Sequence, residues 1–291
     1  MKNYIDIINK NLDEFLKVKY PPEIFEAMRY TVLLPGKRLR PVFCLEACRL
    51  AGGNIEDAIP TACAIEMLHA QSLIHDDLPC MDNDDFRRGK PSNHKVFGEA
   101  NAVLAGDALI SYAPQVIIEN SNNVSAETLL KVINEYCIAA GCYGIIAGQV
   151  ADIQAEKFNY KNFENPEENL NFIHKNKTAA LFKLALKSGA LIGQANDEFM
   201  CDILDFAEAF GLAFQIYDDI IDEISTFDKL GKTAGKDKDE GKLTYVSLYG
   251  LNEAKCKLNC QIKRAYDIIG KYNSDIFNSA IGKLGEGTRN K

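Results

Sequence analysis

The apolar and polar positions of this chain follow a helical period almost throughout. From Asp205 to Ile224, Phe206, Phe210, Phe214, Tyr217, Ile221 and Ile224 recur at steps of three and four, which lines them along one face of a long helix. Thr61 to Asp77 behaves in the same way, with Ile65, Leu68, Ser72 and Leu73 in an Ala-rich run. Comparable patterns predict helices over Glu127 to Val150, Asn171 to Ile192 and Asn252 to Tyr272. No convincing series of alternating strands bounded by hairpin turns is present. The breakers are Pro21-Pro22, Pro35-Gly36, Gly52-Gly53, Asn159 to Pro166 and Gly231 to Gly241, and none has the length or bias of an interdomain linker. The expectation is an all-α fold, a single domain over residues 1–291 made of many packed helices.

Composition narrows the function more than the fold. At 291 residues, 47% of them apolar, the chain can bury a substantial core. A formal net charge of -8 counts against non-specific nucleic-acid binding, because a phosphate backbone would be repelled. Cys44, Cys48, Cys63 and Cys137 lie among apolar residues and read as small core side chains in a reducing compartment. Cys256 and Cys260 alone are too few for a zinc site. Met1 to Leu12 holds no continuous apolar run, and no stretch approaches the length needed to span a bilayer, so a cytoplasmic chain without a membrane span is expected.

The chemistry lies in two carboxylate clusters. The first is Asp76-Asp77 followed by Asp82, Asp84 and Asp85; the second is Asp218-Asp219 followed by Asp222 and Glu223. Asp218 and Asp222, four apart, share one helical face with Gln215 one turn earlier. Both acidic runs are embedded in apolar helices, where uncompensated carboxylates would be costly. A hard cation compensates them. Mg²⁺ prefers carboxylate oxygens and shares its shell with water and substrate phosphates, and no Ca²⁺-loop spacing is present. Pro79 interrupts the first helix and lets Asp82 swing back beside Asp76. His69 shares the face of Asp76 two turns earlier.

Direct cations for a polyphosphate come from Gly36-Lys37-Arg38-Leu39-Arg40-Pro41, which opens an apolar helix, and from Arg87-Arg88-Gly89-Lys90. With these residues in view, the stretch SLIHDDLPCMDNDDFRRGKPSNHKVFGEANAVLAGDAL, the pair Lys177-Thr178, the run FQIYDDIID, and Lys232 and Lys242 complete a pattern. From about Lys37 to Thr244 the chain resembles the bacterial short-chain trans-isoprenyl diphosphate synthases, the farnesyl/geranylgeranyl diphosphate synthase family.

That resemblance implies a helical bundle around a deep central cavity, of the isoprenoid synthase type, and a homodimer. It also implies about three Mg²⁺ ions held between facing helices by Asp76, Asp77, Asp82, Asp218, Asp219 and Asp222. Arg87, Lys177, Lys232 and Lys242 would contact an allylic diphosphate, dimethylallyl or geranyl. Isopentenyl diphosphate would sit on Lys37, Arg40, His69 and Arg88. Ionisation of the allylic C–O bond would give a carbocation, with Thr178 and Gln215 stabilising it, and Lys177 and Lys232 supporting the leaving group. Farnesyl diphosphate is the expected product. Geranylgeranyl diphosphate is the alternative, because Gln71 stands where farnesyl-forming bacterial relatives usually carry an aromatic ring. A terpene cyclase needs no second diphosphate site, and a non-catalytic partner subunit would be expected to lose aspartates. The glycines between Gly282 and Gly287 disfavour a continuous terminal helix, and His75, His94 and His174 receive no role beyond packing.

Overall fold

A computed structural model describes residues 1–158, 162–224 and 242–289. Lys232 and the breaker Gly231 to Gly241 lie outside the described residues, as do the final Asn290 and Lys291. The elements are α1 (Lys2–Phe15), α2 (Pro22–Val32), α3 (Leu39–Leu50), α4 (Ile55–Asp76), β1 (Phe86–Arg87), β2 (Lys90–Pro91), α5 (Asn93–Phe97), α6 (Glu99–Asn120), α7 (Ala126–Ala140) and α8 (Ile145–Lys157). They continue with α9 (Pro166–Ile173), a π-helical turn (His174–Ala179), α10 (Ala180–Ile192), α11 (Asp197–Ile224), α12 (Tyr245–Tyr249), α13 (Leu251–Ile269) and α14 (Asp275–Arg289). These residues form two compact units, Met1–Tyr136 with Ser188–Ala195, and Cys137–Lys187 with Asn196–Lys291.

In the first unit α4 packs against α3 and α6. It starts where the Asn54 side chain accepts the Glu56 N–H, with Glu56 and Asp57 in the first turn to complement the helix dipole. Phe43, Leu45, Ile65, Met67 and Leu68 are fully buried there. In the second unit the face read from the sequence of α11 is a ring ladder. Phe210 meets Phe182 edge-on at 5.1 Å, and Phe206 meets Phe277 of α14 at 4.8 Å. Such pairs add directional contacts to the area they bury.

Four expectations are corrected. The periodic run Glu127 to Val150 is two helices, α7 and α8, because the chain turns tightly at Gly144, where a Cβ would come within 2.1 Å of the Ala139 carbonyl. A short hairpin, β1 with β2, exists where no strand was expected; its turn residues Arg88 (φ 52°) and Gly89 (φ 75°) both take the left-handed conformation that tight hairpins require. The tail is continuous helix through its glycines. Phe277, Ile281 and Leu284 bury one face of it, and a Cβ on Gly287 would sit 2.5 Å from the Tyr217 hydroxyl, so packing overrides propensity. Lastly, Glu99–Asn120 and Ala126–Lys157 do reach bilayer-spanning length and hydropathy by composition, although the second is broken at the α7–α8 turn.

Candidate active site

The first unit builds its acidic site from the end of α4. The helix stops at Asp76, and Pro79 lies in the turns that follow. The Asp82 N–H then donates to the Asp76 carbonyl at 2.8 Å, so the loop does return Asp82 to the helix end. Asp76 and Asp82 are half-buried, whereas Asp77 is 1% exposed. Asp77 is engaged by Arg87, which donates Nε at 2.9 Å and also Nη2, with a further bond from Nη2 to Asp84 at 3.2 Å. Burial pushes the Asp77 carboxyl upward against the pull of the guanidinium.

Cations gather around His69. Burial, then the charges of Arg40 and Arg88, push its imidazole well below its ordinary pKa, so it stays neutral. Arg88 Nη2 lies 3.5 Å from His69 Nε2, and the hairpin turn presents this arginine over Gly36, where a Cβ would be 2.7 Å from Nη1. Lys37 is exposed and Arg40 half-buried. Arg38, the middle cation of the same run, has a different task. It is 3% exposed, with φ 48°, and its Nη1 donates to Glu66 at 2.6 Å while Nη2 donates to the Leu34 carbonyl at 2.9 Å.

Gln71 is held by a relay within this unit. His75 Nε2 lies 3.1 Å from the Val103 carbonyl, which can only accept, so this nitrogen carries the proton. Nδ1 then accepts from Gln71 Nε2 at 3.1 Å. Gln71 Oε1 is left buried with no hydrogen-bond partner among the described residues. The imidazole lies against Gly106 so closely that a Cβ there would be 2.0 Å from Nε2. His75 thus gains a positional role that the sequence did not disclose. His94 is buried beside Ser92 and reads as packing.

In the second unit Asp218 is exposed on α11 while Asp219 and Asp222 are 5% and 6% exposed. Asp219 accepts from Gln215 Nε2 at 2.9 Å and from the Tyr245 backbone N–H at 2.8 Å. Gln215 in turn accepts from the Thr178 hydroxyl at 2.5 Å. Lys177 donates to Asp152 at 2.5 Å, and Lys242 lies 3.5 Å from Glu156. His174 stacks on Tyr245 at 5.3 Å, and burial lowers its pKa to about 3. The pattern of the first unit repeats, since the second aspartate of the doublet belongs to the scaffold and the first faces outward.

Asp152 and Glu156, the partners of Lys177 and Lys242, lie outside the aspartate-rich clusters. Their signal in the sequence is two acids four apart on a helix, the same spacing as Asp218 and Asp222. Among the described residues no three acidic, histidine or cysteine side chains could hold a metal by themselves.

Comparison with known proteins bears on this arrangement. Residues 21–283 match the family model described as polyprenyl synthetase. A protein of Fischerella ambigua (strain UTEX 1903) named dimethylallyltranstransferase is 48% identical over 254 residues, 87% of this chain and 72% of that one. The chloroplastic geranylgeranyl pyrophosphate synthase of Catharanthus roseus is 48% identical over 248 residues, 85% of this chain and 68% of that one. The solved apo structure of an FPP/GFPP synthase from Zymomonas mobilis superimposes with a TM-score of 0.83 at 34% identity, covering 96% of this chain and 95% of that one. The chain belongs to the polyprenyl synthetase family, as an all-helical prenyltransferase with the isoprenoid synthase fold.

Proposed function

We propose that this prenyltransferase condenses isopentenyl diphosphate head-to-tail with allylic diphosphates in the presence of Mg²⁺, and that geranylgeranyl diphosphate is its product. The observation that carries the reading is that the first unit keeps two distinct anion-facing sets. One is the carboxylate pair Asp76 and Asp82 beside Arg87; the other is Arg40 and Arg88 around neutral His69, with Lys37 exposed in the same basic run. A metal-bridged diphosphate and a directly bound diphosphate need these two chemistries separately. A terpene cyclase would have use for only the first.

The donor set fits Mg²⁺. All candidate ligands are carboxylates, and a metal that retains waters and phosphate oxygens needs no complete protein cage. In the first unit Asp76 and Asp82, and in the second Asp218 and Asp222, would hold Mg²⁺, with Asp77 anchoring Arg87 and Asp219 anchoring Gln215. When bound, the metal supplies charge stabilisation to the departing diphosphate. In the second unit Lys177 and Lys242, and in the first Arg87, would add positive charge for a diphosphate leaving group, as would Lys232. Thr178 and Gln215 supply oxygens to the allylic cation, their orientation fixed by the bonds to each other and to Asp219. Elongation with isopentenyl diphosphate, Mg²⁺ and each of dimethylallyl, geranyl and farnesyl diphosphate is the test. Failure to extend any primer would overturn the reading.

Two observations turn the product from the farnesyl length toward C20. Gln71 is a slender amide rather than a ring, and the Catharanthus relative carries the geranylgeranyl name. Gln71→Tyr is expected to shift the main product from C20 to C15, read by chromatography of the dephosphorylated alcohols. A wild-type product that stops at C15 would overturn the C20 assignment.

A homodimer is part of the same proposal. Val103 and Leu104 are 40% and 55% exposed side by side near the start of α6, apolar surface for a second copy to cover.

A further inference from the structure

In the second unit, α8 and α11 each pack a glycine against the π-helical turn His174–Ala179. A Cβ on Gly148 would lie 2.4 Å from the Lys177 backbone nitrogen, and one on Gly211 would lie 2.7 Å from the Ala179 Cβ. One helical turn beyond each glycine sits the residue that grips a side chain of that turn. Asp152 accepts from Lys177 Nζ at 2.5 Å, and Gln215 accepts from Thr178 at 2.5 Å. Another turn along α8, Glu156 meets Lys242 at 3.5 Å. None of these pairs is an open surface contact, since the Asp152 and Lys177 side chains are 13% and 26% exposed. A π-helical turn bonds i→i+5 in place of i→i+4 and occurs frequently at functional sites; here two glycines let the neighbouring helices pack closely on it.

We propose that Asp152 is a positioning residue for the condensation, holding the Lys177 ammonium in place before a diphosphate arrives, with Glu156 doing the same for Lys242. The proposal rests on the reading above that these lysines meet the allylic diphosphate. A lysine side chain loses much rotamer freedom when it is fixed, and a group already fixed does not lose it again on binding. An ammonium carries three donors and no acceptor, so it can keep Asp152 while turning another donor to a phosphate oxygen. The carboxylate itself repels the diphosphate, so its value lies in placement rather than in attraction. That separates the proposal from a simple counter-ion role.

The test uses full-length protein with Mg²⁺, varying geranyl diphosphate and isopentenyl diphosphate in turn while the other is saturating. Asp152→Ala is expected to lower kcat about tenfold through lost orientation, with the KM for isopentenyl diphosphate unchanged. Asp152→Asn keeps an acceptor oxygen and is expected to restore most of the loss. In a Lys177→Ala background, Asp152→Ala is expected to cost nothing further. Three results would overturn the proposal: kcat unaffected in Asp152→Ala, an Asn variant as poor as Ala, or losses that simply add in the double variant. Thermal unfolding of Asp152→Asn guards against reading a folding defect as a kinetic one. If the wild type elongates while Asp152→Ala is unaffected, only this inference fails; if the wild type elongates nothing, the functional reading falls with it.

Discussion

Asp82→Asn is expected to lower kcat for elongation by about 10²–10³, the scale of losing one preorganised charge-stabilising group, while leaving the melting temperature nearly unchanged. The expectation follows from where the side chain stands. Asp82 is half-buried in a loop whose backbone is tied to the Asp76 carbonyl at 2.8 Å, and asparagine leaves that backbone bond intact. What it removes is one unit of negative charge from a set that would hold Mg²⁺, so the apparent Mg²⁺ requirement rises together with the loss in kcat. Asp77→Asn provides the contrast. It strikes a buried carboxylate gripped by Arg87, and the same measurements should show a lowered melting temperature alongside the kinetic loss. Equal thermal behaviour of the two variants would refute this separation of roles.

The second large effect is on stability. Glu66→Ala is expected to cost about 3–5 kcal/mol in urea unfolding, because it strands the Arg38 guanidinium in the core. The pair is almost wholly enclosed, 2% and 4% exposed at its side chains, at 2.6 Å. Arg38 also closes the run that carries Lys37 and Arg40, donating to the Leu34 carbonyl just before it. The KM for isopentenyl diphosphate is therefore expected to rise in Glu66→Ala even at temperatures where the protein stays folded. A stability loss below about 1 kcal/mol would place the pair among weak surface bridges instead.

Those two predictions mark where the sequence was legible. The α11 face was readable because six apolar residues kept one period, and the aspartate clusters because charge inside apolar helices demands an explanation. The division of labour within GKRLRP was not. Lys37, Arg38 and Arg40 carry the same charge, and only the fold shows that Arg38 turns inward to Glu66 while Lys37 faces solvent. The terminal helix was missed for a similar reason. Intrinsic propensity argued against it, and the contacts of Phe277 and Leu284 that outweigh propensity lie far away in sequence. Gly148 and Gly211 were equally silent, since a glycine in a helix announces nothing until the neighbouring backbone that fills its place is known.

Neighbouring residues on a helix point about 100° apart, and each aspartate doublet uses that angle. One member is turned toward what enters, the other toward the wall behind it, where Asp77 aims Arg87 and Asp219 aims Gln215. On the proposed function, a related chain falls silent without losing a single acid when Arg87 or Gln215 is changed. On that reading, counting aspartates is a poor way to separate working copies from passive ones; the residues standing behind them carry the distinction.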